Sequence, residues 1–208
     1  MKKLNKKGFT LIELLAVIVI LAVLLAIAIP AVAKYITSSK KDTFIENAQS
    51  YAKAARSEAL LGSFQFPINK NDAVVVPFEV LVDALENGGK QSSYGNDFDW
   101  AHSYVVIVNT GTGSNPKNEY YIAACDTGYY GIGDAGASSS GIVSYDGLKK
   151  KNIIKFSNCN GTTAISSITA GSKIKLVGYD NGSTTGDKTE VNVQTVVTKA
   201  LIEQNQGD

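Results

Sequence analysis

The chain has 208 residues and a formal net charge of +1, with two cysteines and one histidine. Four of the 20 basic residues are lysines within the first eight positions, so the rest of the chain carries 16 basic against 19 acidic side chains, a net charge of −3. That balance excludes a basic nucleic-acid-binding domain, and a hydrophobic content of 44% excludes a disordered chain.

A basic leader and a long apolar run open the chain. Residues 1–8 hold four lysines and no acid, and no charged side chain occurs from Leu14 to Ala33. Wound as a helix, such a run is about 30 Å long, which is the thickness of a bilayer's hydrocarbon core. Lysines beside a span hold that end on the cytoplasmic side. We therefore expect residues 34–208 to be exported as one domain.

Two simpler interpretations of this segment stay open. A basic start, an apolar stretch and the small-residue triplet at 31–33 also describe a secretory signal peptide that is cleaved before Lys34. Against it, the run is longer than the roughly 7 to 15 residues of a signal core, and Glu13 interrupts its start. The other alternative is a single-span anchor with Glu13 at the membrane interface.

The stretch Gly8-Phe9-Thr10-Leu11-Ile12-Glu13, followed by an apolar helix that carries Pro30, resembles the N-terminus of type IV prepilins. It is similar also to the pseudopilins of type II secretion and competence machines. The resemblance covers about the first 30 residues. It implies that prepilin peptidase, a membrane aspartyl peptidase, cuts between Gly8 and Phe9 and methylates the new amino group of Phe9. The subunits then leave the membrane and polymerise.

Residue chemistry agrees with these implied roles. Gly8 lacks a Cβ and lets a protease bring its own carboxylates close to the scissile backbone. Glu13 costs about 2.5 to 3.5 kcal/mol at the centre of a membrane helix, so it needs a partner there. The resemblance implies that Glu13 pairs with the Phe9 amine of the adjacent chain and sets the register of assembly. A partnerless interfacial carboxylate is the alternative.

Pro30 removes one backbone hydrogen bond and predicts a bend in the helix. In filaments of the type that the chain resembles, the helix unwinds before this proline, helped by a glycine eight residues upstream. This chain has Ala22 at that position. Because alanine is the best helix former, unwinding is less favoured here and the point stays open.

The helix continues beyond the apolar run as an amphipathic segment that ends at Gly62. Its apolar residues recur at three- and four-residue spacing and form one stripe. They are Phe44, Ala48, Tyr51, Ala52, Ala55 and Ala59. The pattern predicts one helix from Phe9 to Leu61, with a membrane-spanning first half and a second half that packs on the exported domain.

Strands dominate the rest of the chain. Residues 64–76 read as irregular or extended chain, and a short helix is predicted from Pro77, with Phe78, Leu81, Val82 and Leu85 on one face and its end at 87–89. A polar loop, 90–102, follows. Strands are predicted at 104–108, 119–125, 141–145, 153–156, 173–179 and 190–198. The fold class is α+β, with the long N-terminal helix packed against an antiparallel sheet.

Cys125 and Cys159 both lie in the exported part, where a disulfide persists, and we expect them to pair. Closing that loop contributes roughly 3 to 4 kcal/mol in the chain-entropy model.

The sequence gives little support for a catalytic site or a metal site. His102 and Ser103 are adjacent in a strand pattern, so they point to opposite faces and make a poor base and nucleophile pair. One histidine and two cysteines do not complete a zinc site. Asp97 and Asp99 suit a surface turn better than a cation site. Residues 180–187 resemble a calcium loop in composition only. We expect no enzyme, no metal and no cofactor.

Three surface features carry smaller hypotheses. Asn160 and Asn181 each begin an N-glycosylation acceptor pattern, which predicts exposure. The three lysines at 149–151 form a basic patch, for which a solvated face is the default interpretation. DNA or a host surface is the alternative partner of that patch.

The sequence thus predicts a type IV pilin with a leader at 1–8, a transmembrane and filament-core helix at 9–33 and an exported domain at 34–208. The implied partners are copies of itself in a helical homopolymer, other pilins, prepilin peptidase, the assembly platform and, before assembly, the lipid bilayer. The resemblance implies a plasma-membrane protein before assembly and an extracellular filament subunit afterwards. A pseudopilin or minor pilin is the alternative, and adhesion, motility and DNA uptake stay open.

Overall fold

The computed structural model describes residues 9–70, 72–85, 89–112, 115–133, 137, 139–161, 169–177 and 190–192. The chain divides into two compact units, residues 1–40 and residues 41–208. One helix, α1, extends from Leu11 to Leu60 and confirms the long helix predicted from the apolar periodicity.

The second half of α1 buries the predicted stripe. All six stripe residues from Phe44 to Ala59 are buried, and Ala54 joins them. The helix ends where Gly62 adopts a left-handed φ of +85°, and the Ser63 amide then donates to the Glu58 carbonyl at 3.0 Å. Glycine adopts this conformation without a Cβ penalty, which explains why the helix ends at this position.

The remaining elements are short. The helix α2 covers Phe78–Leu81, and 3₁₀ turns cover Val82–Ala84, Trp100–His102 and Lys150–Asn152. The strands are β1 Ala73–Pro77, β2 Tyr104–Asn109, β3 Asn118–Ala123, β4 Tyr130–Ile132, β5 Ile142–Ser144, β6 Ile153–Lys155, β7 Thr169–Leu176 and β8 Glu190–Asn192.

Six strands form one sheet in the order β5-β3-β2-β1-β7-β8, and β4 pairs with β6 in a separate ribbon. The α+β class is confirmed. Every pairing is antiparallel except that of β1 with β7, which is parallel, with Val74 opposite Lys175. The sheet is therefore antiparallel with one parallel pair, a detail that local patterns in the sequence did not predict.

Two strands were missed. The segment interpreted as irregular or extended chain contains β1, whose five residues are all buried, so it shows none of the alternation that marks a half-exposed strand. Pro77 consequently ends β1 and pairs with Tyr104 instead of lying in the first turn of a helix. The other missed strand, β4, has only three residues, one of them Gly131.

The predicted second helix is shorter than expected. It has four α-helical residues and one 3₁₀ turn. Phe78 and Leu81 are buried, and Val82 and Leu85 are half-buried, so the predicted face is correct. Its predicted end falls partly on residues 86–88, outside the described part of the chain. The strand predicted at 173–179 is found at Thr169–Leu176, and residues 193–198 lie outside the described residues.

Aromatic rings join α1 to α2 and to the loop that precedes β2. Tyr51 of α1 stacks on Phe78 at 3.7 Å between ring centroids, and Phe98 meets the edges or faces of Phe44, Tyr51 and Phe78 at 5.4 to 5.9 Å. The same cluster includes Val74, Val76, Val105, Ile107 and Ile122 from one face of the sheet. The core of the unit formed by residues 41–208 therefore lies between residues 44–59 of α1 and the strands β1, β2 and β3.

The Tyr104 hydroxyl is a weak point of this core. It is buried and finds no hydrogen-bond partner among the described residues. We expect Tyr104→Phe to leave the free energy of unfolding unchanged or to raise it by up to about 1 kcal/mol, because it removes an unsatisfied polar group. Tyr51→Phe is the matched control, since the Tyr51 hydroxyl donates to the Gly89 carbonyl at 2.5 Å, and that variant should lose about 1 kcal/mol. Denaturant titration of both proteins checks that only Tyr51→Phe loses stability.

Candidate functional site

The first part of α1 exposes its apolar side chains on all sides. Every large hydrophobic residue from Phe9 to Ile36 is 49% to 89% exposed in the single chain. Within the described residues, α1 is the one helix with the length and apolar composition to cross a membrane, and none of its most apolar 18-residue window is buried. An apolar surface of this extent requires another apolar phase around it.

Thr10 and Glu13 form a capping box at the start of this helix. The Glu13 Oε2 accepts hydrogen bonds from the Thr10 amide at 2.8 Å and from the Thr10 hydroxyl at 2.9 Å, and the Glu13 amide donates back to Thr10 Oγ1 at 3.3 Å. The Leu14 amide donates to the Thr10 carbonyl, which makes Thr10 the N-cap. Glu13 therefore has a partner within its own chain.

Both hydrogen bonds to the Glu13 carboxylate end on one oxygen. Among the described residues, no donor reaches Oε1. An ionised carboxylate has about four lone-pair sites, so a further donor fits without disrupting the capping box. Gly8, which with Phe9 forms the predicted cleavage site, lies outside the described residues. The neighbour that Glu13 is predicted to bind is a second copy of the chain.

The helix α1 is continuous through Pro30. Ala22, at the position where the resembling filaments have a glycine, lies inside the helix as well. In the single chain, residues 22–30 are therefore helical, as the high helix propensity of alanine favours. The predicted bend at Pro30 stays a prediction.

The predicted disulfide between Cys125 and Cys159 is present, with their Cα atoms 5.9 Å apart, and both residues are buried. It joins the end of β3 to the segment that follows β6. In the described part of the chain no cysteine is free.

Asp126, beside this disulfide, is a structural residue that sequence reasoning missed. Its side chain is fully buried, and one carboxylate oxygen accepts from the Gly128 and Tyr130 amides, each at 2.9 Å. The other oxygen accepts from the Ser92 hydroxyl at 2.5 Å and from Asn96 Nδ2 at 3.4 Å. The carboxylate thus ties a tight turn to the loop that precedes β2. The pattern Asp-Thr-Gly at 126–128 was the available signal, since Asp favours such turns.

We expect Asp126→Ala to lower the free energy of unfolding by about 2 to 3 kcal/mol, because the substitution leaves buried donors without an acceptor. Asp126→Asn keeps one carbonyl oxygen and should lose less. Denaturant titration of the two variants with the disulfide intact separates these effects. Equal stability of Asp126→Ala and the unsubstituted protein would contradict the role assigned to this carboxylate.

The histidine is engaged in a structural contact. His102 Nδ1 lies 2.8 Å from Asp99 Oδ2, and Asp99 also accepts from the Ala101 amide, which caps the 3₁₀ turn. The Ser103 hydroxyl is buried and exchanges hydrogen bonds with the backbone of Cys125. The adjacent histidine and serine therefore have different partners. Neither residue lies in a strand, because His102 ends the 3₁₀ turn and β2 begins at Tyr104, so the alternation of a strand is not what separates them.

Within the described ranges, no group of three or more histidine, cysteine or acidic side chains is close enough to hold a metal ion. The candidate calcium loop at 180–187 and the Asn181 acceptor pattern lie outside those ranges. Asn160 is exposed in a turn, as its acceptor pattern predicts.

Comparison with known proteins gives one finding for the N-terminal segment. Residues 3–29 match the family model of the prokaryotic N-terminal methylation motif. No curated protein and no solved structure matches the chain. The match covers most of the basic N-terminal segment and the exposed apolar part of α1 as far as Ile29, and it does not extend to residues 30–208.

Proposed function

We propose that this chain, which carries the prepilin signature of type IV pilins at residues 3–29, is a structural subunit of a surface pilus. Its leader is removed after Gly8, and the mature chain polymerises through α1. The observation that carries the proposal is the methylation motif placed directly on a helix whose apolar side chains are exposed on every side. The work of such a subunit is polymerisation, with no chemical turnover.

The exposed helix explains why assembly and membrane anchoring use one surface. Exposed leucine, isoleucine and valine side chains are unfavourable in water and favourable in lipid or against other apolar helices. Before assembly the bilayer covers this surface, and in the filament the helices of neighbouring subunits cover it. A single helix thus serves both states, and the exchange is driven by packing between helices.

Leader removal supplies a second partner for Glu13, from an adjacent chain. Cleavage after Gly8 creates an ammonium at Phe9, which is 89% exposed and next to the capping box. Because Oε1 of Glu13 accepts no hydrogen bond among the described residues, the Phe9 ammonium of an adjacent chain can bind there while Thr10 keeps Oε2. The uncleaved chain lacks this charge at Phe9, so the pairing makes assembly depend on processing.

Processing by prepilin peptidase follows from the motif, and an assembly platform in the membrane then extracts the subunits. The same motif occurs in pseudopilins of type II secretion and competence machines, so the motif by itself supports either kind of protein. Abundance in surface filaments distinguishes a pilin from a pseudopilin.

Electron microscopy of sheared surface filaments, followed by peptide identification, tests the proposal. The expected result is long filaments in which peptides of the exported domain, such as those around the Cys125–Cys159 disulfide, are the most abundant. Filaments that persist in a strain lacking this chain, or that contain it only in traces, would instead assign it to an accessory subunit or pseudopilin.

A further inference from the structure

The lysines at 149–151 lie on a turn that is held in place from both sides. Leu148 before it and Ile153 after it are buried. Asn152 is buried too, and its side chain accepts from the Lys149 amide at 3.0 Å and donates to the Gly133 carbonyl at 3.2 Å. All three lysines are exposed. The turn therefore presents three ammonium groups on a backbone that is held in place, unlike a flexible charged tail.

The helix α1 adds a fourth cation to this group. Lys41 Nζ donates to the Lys150 carbonyl at 3.4 Å, and Lys150 Nζ forms an ion pair with Asp42 at 2.7 Å. We call Lys41 and Lys149–Lys151 the basic patch. Among the described residues, Asp42 compensates one of its four charges, which leaves a net charge of +3 there on a domain whose overall balance is acidic.

The position of the basic patch along the chain limits what can cover it. Lys41 follows Ala33, the last residue of the apolar run, by eight residues. Eight residues reach at most about 29 Å even when fully extended. While the apolar run is in a bilayer, the basic patch therefore stays within reach of the headgroups on the exported side.

We propose that the basic patch docks on anionic phospholipid headgroups of the bilayer that holds the chain before assembly. This inference rests on the membrane-anchored state of the proposed function. The headgroup phosphates supply the negative charge that opposes Lys41, Lys149 and Lys151, which have no ion-pair partner among the described residues, and the contact holds the exported domain against the membrane. Each lysine near an anionic surface shifts the equilibrium between docked and undocked domain about fivefold, or about 1 kcal/mol. Polymerisation must then break this contact when a subunit leaves the bilayer.

Lysine labelling of the full chain in lipid nanodiscs tests this contact. One preparation contains phosphatidylcholine alone, and the other contains added phosphatidylglycerol. A water-soluble acetylating reagent followed by mass spectrometry gives the rate at each lysine. We expect Lys41, Lys149 and Lys151 to react about fivefold or more slowly on the anionic discs, and high salt should remove the difference. Lys53 and Lys70, which are exposed elsewhere on the domain, should react equally on both discs.

A matched pair of variants isolates the charge. Lys149→Gln with Lys151→Gln keeps the ion pair between Lys150 and Asp42 and should abolish the slower labelling of Lys41 on anionic discs. Lys53→Gln with Lys70→Gln removes the same charge and should leave that difference unchanged. Circular dichroism spectra that match the unsubstituted chain verify folding in both cases.

The alternatives have distinct outcomes. Equal labelling on the two discs, or equal slowing at Lys53 and Lys70, overturns the docking. Protection of the basic patch in sheared filaments, without protection on anionic discs, also overturns it and assigns the patch to a contact with a second copy. A chain that does not remain in either disc contradicts membrane anchoring itself, and with it the proposed function. Docking that fails in a chain that stays inserted leaves the proposed function intact.

Discussion

Glu13→Ala is expected to abolish filament assembly while leader removal continues. The variant removes the carboxylate that the Phe9 ammonium of the adjacent chain would meet, and leaving one partner of a buried ion pair without the other costs about 3 to 5 kcal/mol. A loss of that size lowers the association constant of each subunit contact by a factor of about 100 or more. The measurement is the amount of this chain in sheared filaments, normalised to the processed form in the membrane.

Two control variants make the result specific. Glu46→Ala removes an exposed carboxylate from the second half of α1 and should assemble normally. Thr10→Ala removes the capping-box donor and keeps the carboxylate, so it should cost only about 0.5 to 2 kcal/mol of helix stability and should assemble more weakly than the unsubstituted chain. Normal filaments from Glu13→Ala would exclude the pairing with Phe9.

The second large effect is expected from the disulfide. Replacing both Cys125 and Cys159 by alanine should lower the free energy of unfolding of the exported domain by roughly 3 to 4 kcal/mol, because the bond closes a loop with a sequence separation of 34. Alanine avoids placing a serine hydroxyl in this buried site. Denaturant titration of the full chain in detergent gives the value.

Reduction of the unsubstituted protein is the control for the alanine variant. The two should have the same stability, since both lack the covalent link, and the native protein should take up no thiol reagent before reduction. A loss below about 1 kcal/mol on removing both cysteines would contradict the entropic role that we assign to the bond.

The long helix was predictable because its signals are local. The run from Leu14 to Ala33 is apolar on all sides and long enough to span a membrane, which predicts a helix by length. The stripe from Phe44 to Ala59 repeats at helical spacing, and Gly62 marks the end. The capping box also has a local signal, a threonine three residues before Glu13, but the sequence-based prediction gave Glu13 a partner only in an adjacent chain. The disulfide followed from the two cysteines and their exported context.

The missed features depend on distant residues. In β1 the sequence Val74-Val75-Val76 is buried on both faces, and such a run has no period that distinguishes a strand from irregular chain. Its parallel pairing with β7 joins residues about 100 positions apart, which local patterns do not encode. The role of Asp126 likewise depends on Ser92 and Asn96, at least 30 residues away.

The basic patch likewise depends on contacts between residues that are distant in the sequence. The sequence contained the lysines at 149–151, and a solvated face was the default interpretation. Only the fold places Lys41 and Asp42 against this turn and shows that buried Asn152 holds it. Identifying a defined surface from this run of lysines therefore required the structure. The partner proposed for that surface is inferred from the short length of chain between Lys41 and the apolar run.

The mass of the N-terminal peptide of the mature protein tests the central claim most directly. Protein recovered from sheared filaments, digested and measured by mass spectrometry, should begin at Phe9 and carry one methyl group on its amino terminus. A mature chain that begins at Lys34 would show that the apolar run is a cleaved signal peptide. A chain that retains residues 1–8 would show that prepilin processing does not occur, and either result would contradict the assignment.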